Sequence, residues 1–320
     1  MGGGVDCIII YYYIHPTPKL VLLQVMPLFS GGRNLPTFQD LTQDKDVISS
    51  CQNFLSAEII KLQLSQRYLY VLQGEAAIVN LDSCSIEFLG SGEATTCHIV
   101  AFKDSNHASI THLDDGVKSV ECVSKILCQF GSEVDIFIIG GFTDERNISL
   151  EITNKLFECF HNHEKTINVR LWCTVDQNTL TETVPASPIC CSAALDLKSG
   201  EFFHTEFGHQ QRGPELPLRS TLYSHLEEVH FIFSTERDRI VIPYFEFVED
   251  PSFLRLVNLP DSIILEHCST SPHCEPTHFG NDVRERFLFT ALQNSKKVFG
   301  PSKQKLVFKM DDSGAWVKEI

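Results

Sequence analysis

Cys97, His98 and His112 are the residues whose types and spacing could perform acyl transfer. A thiolate attacks an amide carbon; a neighbouring imidazole takes up the thiol proton and later delivers it to a departing amine. Cys97 closes the run "EATTC", and the small residues Ala94, Thr95 and Thr96 before it let backbone N–H groups approach an oxyanion. The same thiol could equally be a small buried hydrophobe. Core filler is the ordinary fate of a cysteine at a strand start, and is the reading for Cys122, Cys128, Cys159 and Cys173.

Two short strands must position any such pair. "CHIVAFKD" (97–104) and "ASITHLD" (108–114) are β-branched and separated by Ser105 and Asn106. Pairing through a two-residue turn there sets Ile99 opposite His112. Cys97 then falls diagonal to His112 on the same face, with backbones about 7–8 Å apart. His98 points to the other face, because neighbours on a strand alternate. A slip of one residue would separate Cys97 from His112, so periodicity permits the dyad without proving it. Thr95 or Thr96 is the candidate to orient the imidazole.

Around this pair the chain alternates strand-like and helix-like patterns without a repeat or a low-complexity linker. Strands are expected at 67–73, 75–82 and 85–90, forming with the two above a meander of hairpins. A helix is expected from Val117 to Leu127, a buried strand over 134–142, a helix behind Asn147 and a last helix over 281–293. Further strands are expected at 168–175, 189–197, 201–207, 229–233, 240–247 and 305–310. The class is α+β with sheets dominating, in one compact domain over residues 26–320.

Composition narrows the function. The chain has 320 residues, 43% of them hydrophobic, enough for one large core. A net charge of −15 argues against nucleic acid, whose affinity comes from Lys and Arg neutralising phosphates, and against anionic membranes. Twelve cysteines without a framework spacing read as reduced thiols of a cytosolic or nuclear protein. "CIIIYYYI" and "LVLLQVMPLF" are each too short to span a bilayer and lack the features of a signal peptide. Residues 1–25 are therefore read as a poorly ordered upstream extension, with the domain opening at Met26.

No metal is expected. "EHCSTSPHCEPTHF" holds His267, Cys268, His273, Cys274 and His278, but their spacings match neither a zinc finger nor a helix-face site. The glycine pair in "GGF" (140–142) is too short for a phosphate loop. Arg146 and Arg212 could line the site, but surface ion pairing is the reading taken for both.

Five ordered motifs together are more specific than one cysteine. "GSGEATTCHIV" (90–100), "THLDDG" (111–116), "GGFTDER" (140–146), "QRGPE" (211–215) and "STSPHCEPTHF" (269–279) resemble the protein N-terminal asparagine amidohydrolases. The resemblance runs from about Met26 to the C-terminus. It implies Cys97 as nucleophile and His112 as base, on a β-sandwich-like core with flanking helices similar to the chemoreceptor deamidases and cytotoxic-necrotizing-factor toxins. It implies deamidation of N-terminal Asn to Asp without a cofactor. It also implies protein or peptide substrates with N-terminal Asn, and a link to arginyl transfer, ubiquitin-ligase recognition and N-degron turnover; a monomer in the cytoplasm, with the nucleus also open, is expected. The substrate's α-ammonium needs a carboxylate or other acceptors, for which Glu93, Asp114, Glu275 and, in the "STSP" element, Ser271 are the candidates. "HLDDG" carries one residue more than the family pattern between His112 and Gly116. A silent interaction module on the same fold, or a deamidase acting on internal Asn or Gln, is the competing reading.

Overall fold

The computed structural model describes residues 28–114, 119–225 and 228–319. The proposed extension 1–25 and the domain start at Met26 lie outside the described residues. The fold is α+β and is organised around one eight-stranded mixed sheet. In spatial order its strands are His230–Phe231, Glu75–Asn80, His107–Leu113, His98–Lys103, Glu133–Gly140, Thr166–Thr174, Leu28–Ser30 and Arg33–Asn34.

The centre of this sheet is the hairpin read from the sequence. Its turn is tied by Asp104, whose carboxylate accepts from the backbone N–H groups of Asn106 (2.8 Å) and His107 (2.6 Å). This side-chain mimic of a turn locks the register. Ile99 lies opposite His112, and His98 opposite Leu113. His98–Lys103 also pairs antiparallel with Glu133–Gly140, so it is flanked on both sides.

Connections through helices explain the parallel members. Helix Ser119–Leu127 follows His107–Leu113 and precedes Glu133–Gly140, while helix Ile148–His161 links that strand to its parallel neighbour Thr166–Thr174. Both helices lay their apolar residues on one face of the sheet. Val100, Phe102, Ile136 and Ile138 there meet Val123, Ile126, Ile152, Leu156 and Phe160 in a continuous core.

The opposite face carries the alternate residues Ile99, Ala101, Ile110 and Ile139. It is covered by two four-stranded sheets. One orders Phe202–His204, Ala193–Asp196, Phe88–Ser91 and Tyr68–Tyr70; the other orders Phe233–Ser234, Arg239–Ile242, Leu306–Met310 and Trp316–Lys318.

The expected meander is thus wrong in its middle. Phe88–Ser91 and Tyr68–Tyr70 pair parallel with each other in a separate sheet, and only Glu75–Asn80, His107–Leu113 and His98–Lys103 are antiparallel neighbours. Short β-branched runs give strand identity but not sheet membership, because the long-range partner Ala193–Asp196 is what captures Phe88–Ser91. The last expected helix is present as Phe279–Leu292. Helices Lys45–Ser56, Leu216–His225 and Asp261–Cys268 were not anticipated. Among the described residues no helix is long and apolar enough to cross a membrane.

Candidate active site

Cys97 sits at the end of the loop that joins Phe88–Ser91 to His98–Lys103, so it bridges the covering sheet and the central one. The loop is pinned at several points. Glu93 adopts a left-handed φ of 63°, and the buried Ala94 donates its N–H to the Cys191 carbonyl at 3.0 Å. The Cys97 carbonyl accepts the Gly141 N–H at 2.9 Å.

That last bond explains the "GGF" motif. Gly140 has φ +115°, and a Cβ there would stand 2.3 Å from the Cys97 carbonyl oxygen; a Cβ on Gly141 would meet His98 and Ser149 at 2.8 Å. The glycine pair lets two backbones touch behind the nucleophile loop. Asn178, fully buried, donates its side-chain amide to the carbonyls of both Gly141 and Cys190 at 2.9 Å, knitting the same three segments together.

His112 lies on the face carrying Ile99 and is buried. Its Nδ1 is 2.9 Å from the Ser91 hydroxyl, which also lies 2.8 Å from the Val71 carbonyl. A carbonyl can only accept, so Ser91 gives it its single proton. The hydroxyl oxygen must then accept from His112 Nδ1–H. This fixes the tautomer and leaves Nε2 as the unprotonated acceptor. Nε2 is buried and has no hydrogen-bond partner among the described residues. Burial lowers the His112 pKa to about 4, with the Asp114 carboxylate opposing the shift. The resting imidazole is neutral.

His98 behaves as strand alternation requires. Its Nε2 lies 2.8 Å from the Thr153 hydroxyl on helix Ile148–His161, across the sheet from the cavity.

Cys97 and His112 line one cavity of about 260 Å³, together with Glu93, Thr95, Thr96, Asp114 and Glu275. Seven of the eight site residues expected from the sequence are therefore brought together. The exception is Ser271, which is buried away from the cavity while its neighbours Ser269 and Thr270 line it. A two-residue offset along an irregular segment was enough to misplace it. Thr95 and Thr96 are at the site, but neither is the hydroxyl bonded to His112. The Thr96 hydroxyl pairs with that of Thr270 at 2.9 Å, and Ser91 takes the orienting place.

The carboxylates differ in their commitments. Glu93 is bound by Arg212 Nη1 (2.8 Å) and His278 Nε2 (2.6 Å), and the same Nη1 reaches Asp282 at 2.7 Å. Arg212 is thus a buried cavity residue, not a surface one. Asp114 accepts from the Gln73 side chain at 3.1 Å. Glu275 is paired with the Ser269 hydroxyl; burial raises its pKa, with that hydroxyl opposing. The His278 imidazole also opposes that rise and the Glu93 carboxylate adds to it, while no lysine or arginine pairs with Glu275 among the described residues.

The remaining sequence candidates scatter. His273 Nε2 lies 2.9 Å from the Ala186 carbonyl, toward which the Cys274 thiol also points, while His278 binds Glu93. Burial pushes the thiols of Cys122, Cys190 and Cys191 up to about 12. Cys128, read as core filler, is instead exposed, because it falls at the end of its helix.

The profile of the protein N-terminal asparagine amidohydrolase family matches residues 60–318, a span holding every residue of this cavity. The chain belongs to the protein N-terminal asparagine amidohydrolase family. It is 28% identical over 307 residues to the human protein N-terminal asparagine amidohydrolase, covering 92% of this chain and 98% of that protein. The pig protein of that name is similar at 28% over 309 residues. The Arabidopsis thaliana protein of that name is 24% identical over 288 residues, covering 79% of this chain and 81% of its own length. Within this amidohydrolase, Ser91 and Asp282 are the residues that sequence reading missed, while Arg212 and His278 were singled out but read as a surface ion-pair partner and a metal-ligand candidate. Ser91 lies shortly before Cys97 but meets His112 from another sheet, and Asp282 comes from a helix distant in sequence, so local pattern reports neither.

Proposed function

We propose that this chain deamidates asparagine at the N-termini of proteins and peptides through a thioester on Cys97. The observation that carries the reading is the unprotonated Nε2 of His112, held by Ser91 over the cavity that Cys97 lines. The curated relatives' names supply the substrate.

The Cys97 thiol passes its proton to His112 Nε2 as sulfur attacks the side-chain carboxamide carbon. Backbone N–H groups of the loop, including that of Cys97, hold the oxyanion. The imidazolium, made a readier acid by its burial, then gives that proton to the amide nitrogen as the C–N bond breaks, and ammonia leaves. Water, deprotonated by the regenerated imidazole, then cleaves the thioester to give Asp and the free thiol.

Glu275 receives the substrate's α-ammonium. It is a half-buried carboxylate that no lysine or arginine reaches among the described residues; His278 only partly opposes the rise that burial gives its pKa, and an incoming ammonium supplies a full positive charge, whereas Glu93 is already ion-paired with Arg212. The product, an N-terminal Asp, suits arginyl transfer and ubiquitin-dependent turnover, acting as a monomer in the cytoplasm or nucleus. The core belongs with the chemoreceptor-deamidase and necrotizing-factor architecture.

Ammonia release from matched peptides tests the reading. Gln carries its amide one methylene too far, which costs roughly 1–3 kcal/mol in fit and about another 10²-fold in alignment. Asn should therefore exceed Gln by more than about 10³ in kcat/KM. Acetyl-Asn should be as poor as Gln, because Glu275 is left unpaired. Comparable rates on acetylated or internal Asn would contradict the N-terminal reading.

A further inference from the structure

Helix Phe279–Leu292 turns one face to the cavity: Phe279, Asp282, Val283 and Arg286 all line it, at helical spacings of three and four. Glu285, exposed, also lines it, so three charged residues of the helix do, and they are treated differently. Asp282 is committed to Arg212 at 2.7 Å. Arg286, one turn further along, has no carboxylate and no hydrogen-bond acceptor for its guanidinium among the described residues. Its surroundings are half-buried, and burial lowers its pKa with only the Cys268 thiol opposing.

Other buried and partly buried arginines show how unusual this is. Arg219 is bonded to Glu75 and to the carbonyls of Tyr70 and Arg212; Arg284 holds Asp261 and two backbone carbonyls; Arg239 holds Glu319. A guanidinium drawn out of water is normally matched by acceptors, because desolvation without pairing is costly. Among the described residues only the Cys268 thiol acts on Arg286, no carboxylate or carbonyl accepts from it, and it lines the cavity that Cys97 and His112 share.

Its position says which part of the substrate it meets. Asp282 belongs to the Glu93–Arg212 network beside the nucleophile loop, and Arg286 is about 6 Å further along the helix axis. An extended peptide covers that distance in about two residues. We propose that Arg286 is a specificity-determining residue that binds a carboxylate on the substrate at the second or third position, so that the enzyme prefers N-terminal Asn followed by Asp or Glu. This rests on the reading given under Proposed function. A planar guanidinium suits a carboxylate by two parallel N–H···O bonds, whereas a Lys or Arg side chain there would be repelled.

The test uses the full chain and peptides with amidated C-termini of the form Asn-Glu, Asn-Gln and Asn-Lys, with the acidic or basic residue also moved to position three. A matching Asn-Gly dipeptide with a free C-terminal carboxylate separates a side-chain carboxylate from a terminal one. Wild type should favour Glu over Gln by about tenfold in kcat/KM and Gln over Lys by a further several-fold, mostly in KM. Arg286→Gln should flatten the series, and Arg286→Glu should invert it in favour of Lys. Circular dichroism and melting temperature establish that each variant is folded, and Arg286→Lys should restore part of the preference.

Equal kcat/KM across the series in wild type overturns this inference alone and leaves the deamidase reading standing. A loss in Arg286→Gln that is the same for every peptide and falls on kcat also overturns it, by placing the guanidinium at the reacting atoms. Preference only for the free dipeptide carboxylate shows terminal recognition and overturns the side-chain assignment. Absence of ammonia from every Asn peptide sinks both readings together.

Discussion

His98 and His112 sit on adjacent strands of one sheet, both buried, both with a ring nitrogen against a hydroxyl, and both depressed by burial, to about 3 and about 4. Only the face differs. His98 looks into the helix layer, where Thr153 meets it and Gly141 lies against its ring. His112 looks into the layer that holds the cavity, where Ser91 fixes its tautomer and Cys97 shares its space. A buried neutral imidazole is therefore not a catalyst by virtue of its pKa. The register of one hairpin decides which of the two can serve, because strand alternation sends them to opposite sides.

The comparison breaks most visibly at the nucleophile. Cys97→Ala should abolish ammonia release and leave the melting temperature nearly unchanged; Cys97→Ser should be almost as inactive, since a hydroxyl is a far poorer nucleophile at neutral pH. If Cys97→Ala unfolds the protein, the thiol is packing and not chemistry.

Next in size is the histidine pair itself. His112→Ala should cut kcat by roughly 10²–10⁴-fold. His98→Gln should leave kcat within a few-fold and instead cost on the order of 1–3 kcal/mol of stability, because it disturbs a buried hydrogen bond. Equal kinetic losses in the two variants would erase the distinction drawn between the faces. Ser91→Ala sharpens it: releasing the ring from its tautomer should lower kcat by roughly 10²-fold with little change in KM. An unaffected kcat would show that another group orients His112.

The smallest effect is on acid stability. Each imidazole is neutral in the fold, with a folded pKa below its ordinary value of 6.5. Between about 6.5 and about 4 the unfolded chain binds more protons than the folded one, so stability should fall as pH drops through that window. His98→Gln and His112→Gln should each shallow that decline by up to one proton. Activity of the wild type should persist through pH 5 and fail near pH 4 as His112 becomes charged.

The dyad was legible because it depends on local information. Ser105 and Asn106 mark the turn, Asp104 ties it, and a two-residue turn leaves one register that places Ile99 opposite His112. Ser91 was not legible as the orienting group, because its contact with His112 joins two different sheets and no local periodicity reports that. Arg212 and Asp282 reach the cavity from opposite ends of a segment rich in short helices, and sequence pattern alone reads such charges as solvated. The meander failed for the same reason: strand character at 85–90 is local, while its capture by Ala193–Asp196 is not.

Limited alkylation tests the central claim most directly. Wild-type protein is treated with substoichiometric iodoacetamide at pH 6.5, and residual deamidation of an N-terminal Asn peptide is plotted against the modification of each cysteine by peptide mapping. Loss of activity should follow alkylation of Cys97 one for one, be slowed by the Asn peptide, and be slower still in His112→Ala. Activity that survives full alkylation of Cys97, or that is lost in step with another cysteine, would contradict the account.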